Sequence, residues 1–242
     1  MKKLGIIGGT SWSSTALYYD HLNRAVARQL GGLHSARLLI ESFDFADYAA
    51  FHASDDWDQA NAMVVDAALR LKAAGVDGLL LASNTMHKAY GAVAAATGLP
   101  IVDIREATAL RLAHDERTRI ALLGTRFTMT EPFARERFEE RGIIVHELTG
   151  EWQVEVDRII YDELARGLVV RDSQRKLKTL ITELGKQKVQ AVVLGCTELV
   201  LAVDVRANVL PVYDTTAIHA AAAVEWMLDE ADAVAEKVRA AA

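Results

Sequence analysis

The sequence holds a single cysteine, Cys196, among 242 residues. One thiol excludes an internal disulfide framework and any cysteine-rich zinc cluster. Positive charge is also scarce: 27 Lys and Arg stand against 33 Asp and Glu, for a net charge of −6. No basic stripe marks a nucleic-acid footprint. Long apolar runs are missing as well. No window approaches the uninterrupted length needed to span a bilayer. The opening Met-Lys-Lys-Leu-Gly enters a short strand pattern without the apolar region of a signal peptide. These absences lead to the expectation of a soluble cytoplasmic protein without nucleic-acid or membrane partners. What remains is an ordinary globular composition, 51% hydrophobic and 25% charged, long enough for one large domain or two small lobes.

Short apolar runs alternate with longer stretches of helical spacing. Strands are predicted at 4–7, 37–43, 76–81, 101–104, 120–123, 143–148, 189–194 and 209–213. Their β-branched and Leu-rich character suits strands covered on both faces, as in a parallel sheet. Between them, 60–73 keeps Met63, Val64, Ala67, Ala68 and Leu71 on one face, with Gly75 a C′ residue. A further helix is predicted over 131–141, with Thr130 as N-cap, Pro132 at the first helical position and Gly142 past its end. The Ala-rich tail from Ala217 reads as a terminal helix with a frayed end. Strand–helix alternation of this kind means doubly wound α/β lobes.

The chain also repeats itself imperfectly. Leu4 to Thr10, Val76 to Thr85 and Leu99 to Asp103 are echoed by Ile120 to Thr125, Val189 to Thr197 and Leu210 to Asp214. Thr10 and Thr125 lie 115 residues apart, Ser83 and Cys196 113, and Pro100 and Pro211 111. The expectation is two pseudo-symmetric lobes, each with a parallel sheet, facing a shared cleft. The first takes residues 1–103 and 212–242 and the second 104–211.

Ligands of open parallel sheets bind beyond the carboxyl ends of the strands. Four polar turns fall there: Gly8-Gly-Thr-Ser11, Ser83-Asn-Thr85, Gly124-Thr125 and Gly195-Cys-Thr-Glu198. Each offers hydroxyls and backbone N–H groups near a helix start, a setting that favours a carboxylate. Any one of them could simply be a local cap; four at corresponding places in two repeats point to a converging small-acid site. Cys196 sits where a buried strand ends, and the helix expected to follow it would stabilise a thiolate. A thiol of ordinary pKa, about 8.5, can act as both acid and base. Glu198 either orients that thiol or merely occupies a first helical turn. His87 follows the Asn84-Thr85 turn, as a cleft residue or an ordinary helix histidine. His52, His114, His146 and His219 have no metal-ligand spacing, so no metal is predicted. Gly5-Ile-Ile-Gly-Gly-Thr10 lacks the G-x-G-x-x-G order and argues weakly for a nucleotide.

The motifs resemble the aspartate/glutamate racemase family, which belongs with hydantoin racemases, maleate isomerases and arylmalonate decarboxylases. They are Gly8-Gly-Thr-Ser-Trp-Ser-Ser-Thr15 with Tyr18-Tyr19, Ser83-Asn-Thr-Met-His87, Leu123-Gly-Thr-Arg-Phe-Thr-Met129, Leu194-Gly-Cys-Thr-Glu-Leu199 and Leu210-Pro-Val-Tyr-Asp-Thr-Thr-Ala-Ile-His219. They span essentially the whole chain in family order. The likeness is strongest to broad-specificity amino-acid racemases and L-aspartate/glutamate-specific members.

The resemblance implies two homologous lobes, a final helix returning to the first, a homodimer, no pyridoxal phosphate and no metal. In the family mechanism two cysteines flank the substrate Cα; one removes the α-proton and the other donates from the opposite face. The second falls on Cys196 and the first on Ser83, a hydroxyl that some family members also carry. A serine hydroxyl is far less acidic than a thiol and needs help to serve as a base. The resemblance further implies that Thr10, Ser11, Asn84, Thr85, Thr125 and Thr197 hold the substrate carboxylate, with Glu198 and His52 at the same site. No arginine or lysine stands out for a distal carboxylate; His52 follows Asp44-Phe45 where several relatives have a basic or amide residue. The expected function is racemisation of aspartate, glutamate or a broader set of amino acids. A one-thiol decarboxylase or isomerase of a small dicarboxylic acid is the alternative, and a carboxylate binder without turnover is a third.

Overall fold

The computed structural model describes residues 1–54 and 56–229, with the side chains of His52 and Ala53 outside the description. The described residues form two compact units, one within 1–82, 89–102 and 220–229, the other 83–88 and 103–219. Residues 83–88, 103 and 212–219, which the sequence pattern gives to the first lobe, cluster with the second unit.

The first unit carries β1 (Leu4–Gly8), α1 (Trp12–Leu30), β2 (Leu38–Ser42), α2 (Phe45–Ala53), α3 (Trp57–Ala73), β3 (Gly78–Leu81), α4 (Tyr90–Thr97) and β4 (Ile101–Val102). The second carries α5 (Ile104–His114), β5 (Arg119–Leu123), α6 (Arg126–Thr130), α7 (Pro132–Glu139), β6 (Ile144–His146), α8 (Gly150–Arg158), α9 (Arg171–Lys186), β7 (Ala191–Leu194) and β8 (Val212–Asp214). The helix α10 (Thr215–Leu228) starts in the second unit and ends in the first. All eight predicted strands are present, and every pairing in both sheets is parallel. The sheets have the same order, β2-β1-β3-β4 and β6-β5-β7-β8. That shared order is the structural counterpart of the sequence repeat.

The repeated Leu-Pro-x-x-Asp has a physical use in both units. Pro100 and Pro211 stand just before the edge strands β4 and β8, where a residue without an N–H costs no ladder bond. Their carbonyls accept from Leu79 N at 2.8 Å and from Val192 N at 2.9 Å, which extends the pairing by one bond. The Asp that comes next caps the following helix: Asp103 accepts from Arg105 N and Asp214 from Thr216 N, both at 2.9 Å.

The central strands are apolar on both faces because helices cover both. In the first unit Leu4, Ile6 and Leu80 pack against Tyr18, Leu22 and Val26, an i, i+4, i+8 stripe of α1, and against Ala220, Val224 and Met227 of α10. In the second unit Val192 and Leu194 meet Leu177, Ile181 and Leu184 of α9. Ile120, Leu122 and Val193 on the other face meet Leu112 and Phe138. Gly75 follows the C-cap of α3 with φ +75, as its spacing predicts. The helix predicted at 131–141 is shorter, and its N-cap is Glu131 rather than Thr130. Thr130 instead closes α6, donating its hydroxyl to Arg126 O at 2.8 Å, so the site of the cap passes to its neighbour. No helix among the described residues is long and apolar enough to cross a membrane.

Candidate active site

In the second unit the carboxyl ends of β5 and β7 lie side by side, with Leu123 in register with Leu194 and Gly195 N bonded to Leu123 O at 2.6 Å. Only a residue without a side chain fits next: a Cβ on Gly124 would stand 2.9 Å from the Gly195 carbonyl and 3.0 Å from Thr128. This close approach brings Thr125 beside the turn that carries Cys196. Cys196 is two residues beyond the end of β7, as Ser83 is two residues beyond the end of β3.

Cys196 is buried, and its Sγ donates to Glu198 Oε2 at 3.0 Å. Thr197 donates its hydroxyl to the same oxygen at 2.7 Å. Glu198 is itself buried, so the two donors supply what solvent would otherwise give its carboxylate. Burial first, and then the negative charge of Glu198, push the thiol well above its ordinary pKa. This corrects the expectation of a helix-stabilised thiolate: Cys196 leads into a five-residue 3-10 turn, Thr197–Leu201, and the thiol keeps its proton. The arrangement allows a proton to move between Sγ and Oε2 along an existing hydrogen bond.

Three hydroxyls gather nearby, all buried. Thr85 Oγ1 lies 3.1 Å from Thr125 Oγ1 and 3.4 Å from Thr128 Oγ1, and those two are 3.3 Å apart. Thr125 is also the N-cap of α6. Asn84 donates its side-chain amide to Thr215 Oγ1 at 3.0 Å, and Thr215 donates to Leu194 O at 2.7 Å. The 83–88 segment is thereby pinned to the ends of β5 and β7. The Ser83 hydroxyl makes no hydrogen bond among the described residues, whereas its carbonyl accepts from His87 Nδ1 at 2.8 Å.

His87 is buried, and its Nε2 accepts from Ile104 N at 3.2 Å, which leaves the proton on Nδ1 for the Ser83 carbonyl. Burial lowers its pKa to about 4, against the pull of Asp103, so it is neutral. Asp103 is anchored by Arg105 through paired bonds of 2.9 and 2.7 Å. His87 is thus a fixed brace under Ser83.

Three of the predicted residues, Thr10, Ser11 and His52, lie in the first unit. Ser11 caps α1, accepting from Ser14 N at 3.5 Å, and its hydroxyl pairs with Ser13 at 2.7 Å. Thr10 is half-buried in the turn before it. That turn requires glycine: Gly9 has φ +87, and a Cβ there would strike the Phe43 backbone. The His52 side chain lies outside the described residues.

The family model for Asp/Glu/hydantoin racemases matches residues 7–223. The chain belongs to that family. It is 42% identical to a candidate Asp/Glu racemase from Yersinia pestis, whose crystal structure aligns over 95% of this chain and 100% of that one with a TM-score of 0.88. An aspartate racemase homologue from Pyrococcus horikoshii OT3 aligns over the same shares at 31% identity and a TM-score of 0.80. Among curated proteins, the broad-specificity amino-acid racemase RacX of Bacillus subtilis (strain 168) is 24% identical over 229 residues, 93% of this chain and 98% of that one.

For a racemase-family chain, sequence reasoning picked out Ser83, Asn84, Thr85, Thr125, Cys196, Thr197 and Glu198, and the structure gathers all seven in one unit. It missed Thr128 and Thr215, which complete the hydroxyl triangle and the Asn84 bond. The Thr125-x-x-Thr128 spacing at a helix start was a signal for the former. Thr215 had no local signal, since its partners are remote in the chain.

Proposed function

We propose that this protein is an amino-acid racemase that needs no cofactor and exchanges the substrate α-proton through Cys196, with Ser83 serving the opposite face of Cα. The observation that carries this reading is the buried Cys196–Glu198 hydrogen bond at the end of β7, in a chain whose family match covers both repeats. In one direction the thiol passes its proton to Glu198, and the thiolate takes the α-proton. The carbanion left at Cα is stabilised by delocalisation into the substrate carboxylate. Donors around Thr85, Thr125 and Thr128 lower the cost of that charge. Reprotonation from the Ser83 side, by its hydroxyl or by water held there, gives the mirror image. The serine face is the slower one, because an aliphatic hydroxyl is a weak acid and its anion is hard to form.

The presence of one cysteine favours a second reading, in which a single proton transfer suffices, as in decarboxylation or isomerisation of a small dicarboxylic acid. Solvent deuterium distinguishes these. A racemase exchanges the α-hydrogen and loses optical activity; a decarboxylase releases carbon dioxide and takes up deuterium; a carboxylate binder does neither. The expected result is exchange that disappears in a folded Cys196→Ala protein, since losing one small buried side chain costs at most a few kcal/mol of stability. Full exchange in that variant would overturn the proposal.

A further inference from the structure

A cavity of about 540 Å³, a volume that suits a small molecule, lies between α9 and the segment that follows the Cys196 turn. One wall is α9, whose Gln174, Lys178 and Ile181 stand at i, i+4 and i+7 on a single face. The other wall begins at Val200, inside the 3-10 turn Thr197–Leu201, and runs on to Asn208. Neither Cys196 nor Glu198 lines the cavity.

The lining is divided in its chemistry. Val200, Leu201, Val203 and Val205 give it an apolar surface, of which Leu201 and Val205 are exposed. Beside that surface stand two opposite charges, Lys178 and Asp204. Neither forms an ion pair among the described residues, so they border one cavity without closing on each other. The loop of Asp204 is held by its own bonds. Asp204 Oδ1 accepts from Arg206 N at 2.9 Å, and its carbonyl accepts from Ala207 N and the Asn208 side-chain amide.

The loop wall is continuous with the candidate active site. Cys196 O accepts from Leu199 N at 3.1 Å, and Leu199 O accepts from Ala202 N at 3.1 Å and Val203 N at 2.9 Å. Ala202, Val203 and Ile181 are buried in the same core cluster as Cys196. A molecule seated in the cavity therefore bears on the turn that carries the Cys196–Glu198 pair without touching the pair.

We infer that this cavity is a regulatory site for an apolar α-amino acid, separate from the substrate site. Lys178 takes the carboxylate, Asp204 the ammonium, and the valine and leucine surface the side chain. One cation, one anion and an apolar floor match a zwitterion with an aliphatic tail. A plain fatty acid would leave Asp204 unmatched, and a plain amine would leave Lys178 unmatched. Covering the exposed apolar lining adds to the binding. A ligand that fits this wall favours the arrangement in which the Cys196–Glu198 hydrogen bond is made, so turnover should rise.

The test uses L-leucine as the probe, with 4-methylpentanoate and 3-methylbutylamine as analogues that each lack one charge. Calorimetric binding is measured for wild type, Lys178→Gln and Asp204→Asn; both side chains are exposed, so the fold tolerates the changes. Either variant, and either analogue, should bind about tenfold more weakly than leucine on wild type. In parallel, leucine should raise kcat for α-hydrogen exchange of aspartate about twofold or more in wild type, with KM unchanged, and should have no such effect in the variants. Equal leucine binding in all three proteins overturns the inference. Leucine that competes with aspartate alike in all three occupies the substrate site, which overturns it too. Binding that depends on Lys178 and Asp204 but leaves kcat unraised overturns the regulatory role. Absence of aspartate exchange in every protein counts against the racemase reading alone, and leucine binding then decides the site.

Discussion

Cys196 and Glu198 are joined by a 3.0 Å hydrogen bond in a buried setting, with the thiol as donor and the carboxylate as acceptor. Two residues apart, they form a unit in which the acid controls when the thiol can become a base. Burial is the larger cause of the raised thiol pKa, and the Glu198 charge is the next. Glu198→Gln removes the second cause and leaves the first. The variant also loses the carboxylate that takes the thiol proton, so exchange should slow; the thiolate then forms by proton loss to solvent, and the alkaline-rising limb of the remaining exchange should move to lower pH. A pH profile of kcat/KM from deuterium exchange checks this; a limb that stays in place would show that the Glu198 charge does not set the thiol.

Ser83→Cys should make the two faces of the site alike. The change is nearly isosteric and adds little strain at a half-buried position. A second thiol, with an ordinary pKa of about 8.5, transfers protons near neutrality far better than a hydroxyl. Wild type should exchange one enantiomer much faster than the other, and the variant should racemise faster with less asymmetry. A folded Ser83→Cys protein with unchanged rate and preference would remove Ser83 from the proposed pair.

Thr125→Val keeps the shape of the side chain but deletes the hydroxyl shared with Thr85 and Thr128. Ligand affinity should fall about tenfold or more, as a charge-assisted bond is lost. The same change removes the α6 cap and should cost on the order of 1 kcal/mol of stability. Thr125→Ser restores both if the hydroxyl is the cause. Asn84→Ala should weaken binding as well, through loss of its bond to Thr215. Titration calorimetry with aspartate, beside thermal unfolding, separates the two effects. Unchanged affinity in both Thr125→Val and Asn84→Ala would place the carboxylate elsewhere.

His87 ties stability to pH. Its folded pKa is about 4 against an ordinary 6.5, so between those values the unfolded chain binds more protons than the folded one. Stability from this residue is therefore complete above about pH 6.5 and is lost as pH falls towards 4, by up to about 3 kcal/mol. Urea unfolding tracked from pH 7 to pH 4 should show that decline, and His87→Asn should flatten it. An equal slope in the variant would assign the effect to other groups. Asp103 acts in a lower range: burial pushes its pKa up, but the Arg105 hydrogen bonds and the His87 and Arg105 charges outweigh that and hold it down.

The sequence by itself determined what depends on neighbours in the chain. Period and β-branching marked all eight strands, and the repeated Leu-Pro-x-x-Asp marked the duplication whose two halves share one strand order. The polar turns after β3, β5 and β7 could be read from where apolar runs stop. Local rules misled only where two local solutions competed. Thr130, read as the cap of α7, could as well end the turn before it and does so in α6, and the residues after Cys196 form a 3-10 turn instead of a longer helix.

Tertiary structure alone decided which of these turns meet. Thr85 reaches Thr125 and Thr128 across 40 and 43 residues, and Asn84 reaches Thr215 across 131. Strand order and register set those distances, and hydrophobic periodicity is silent on both. A linear pattern records which face of an element is buried; only the packed sheet fixes what lies across from it.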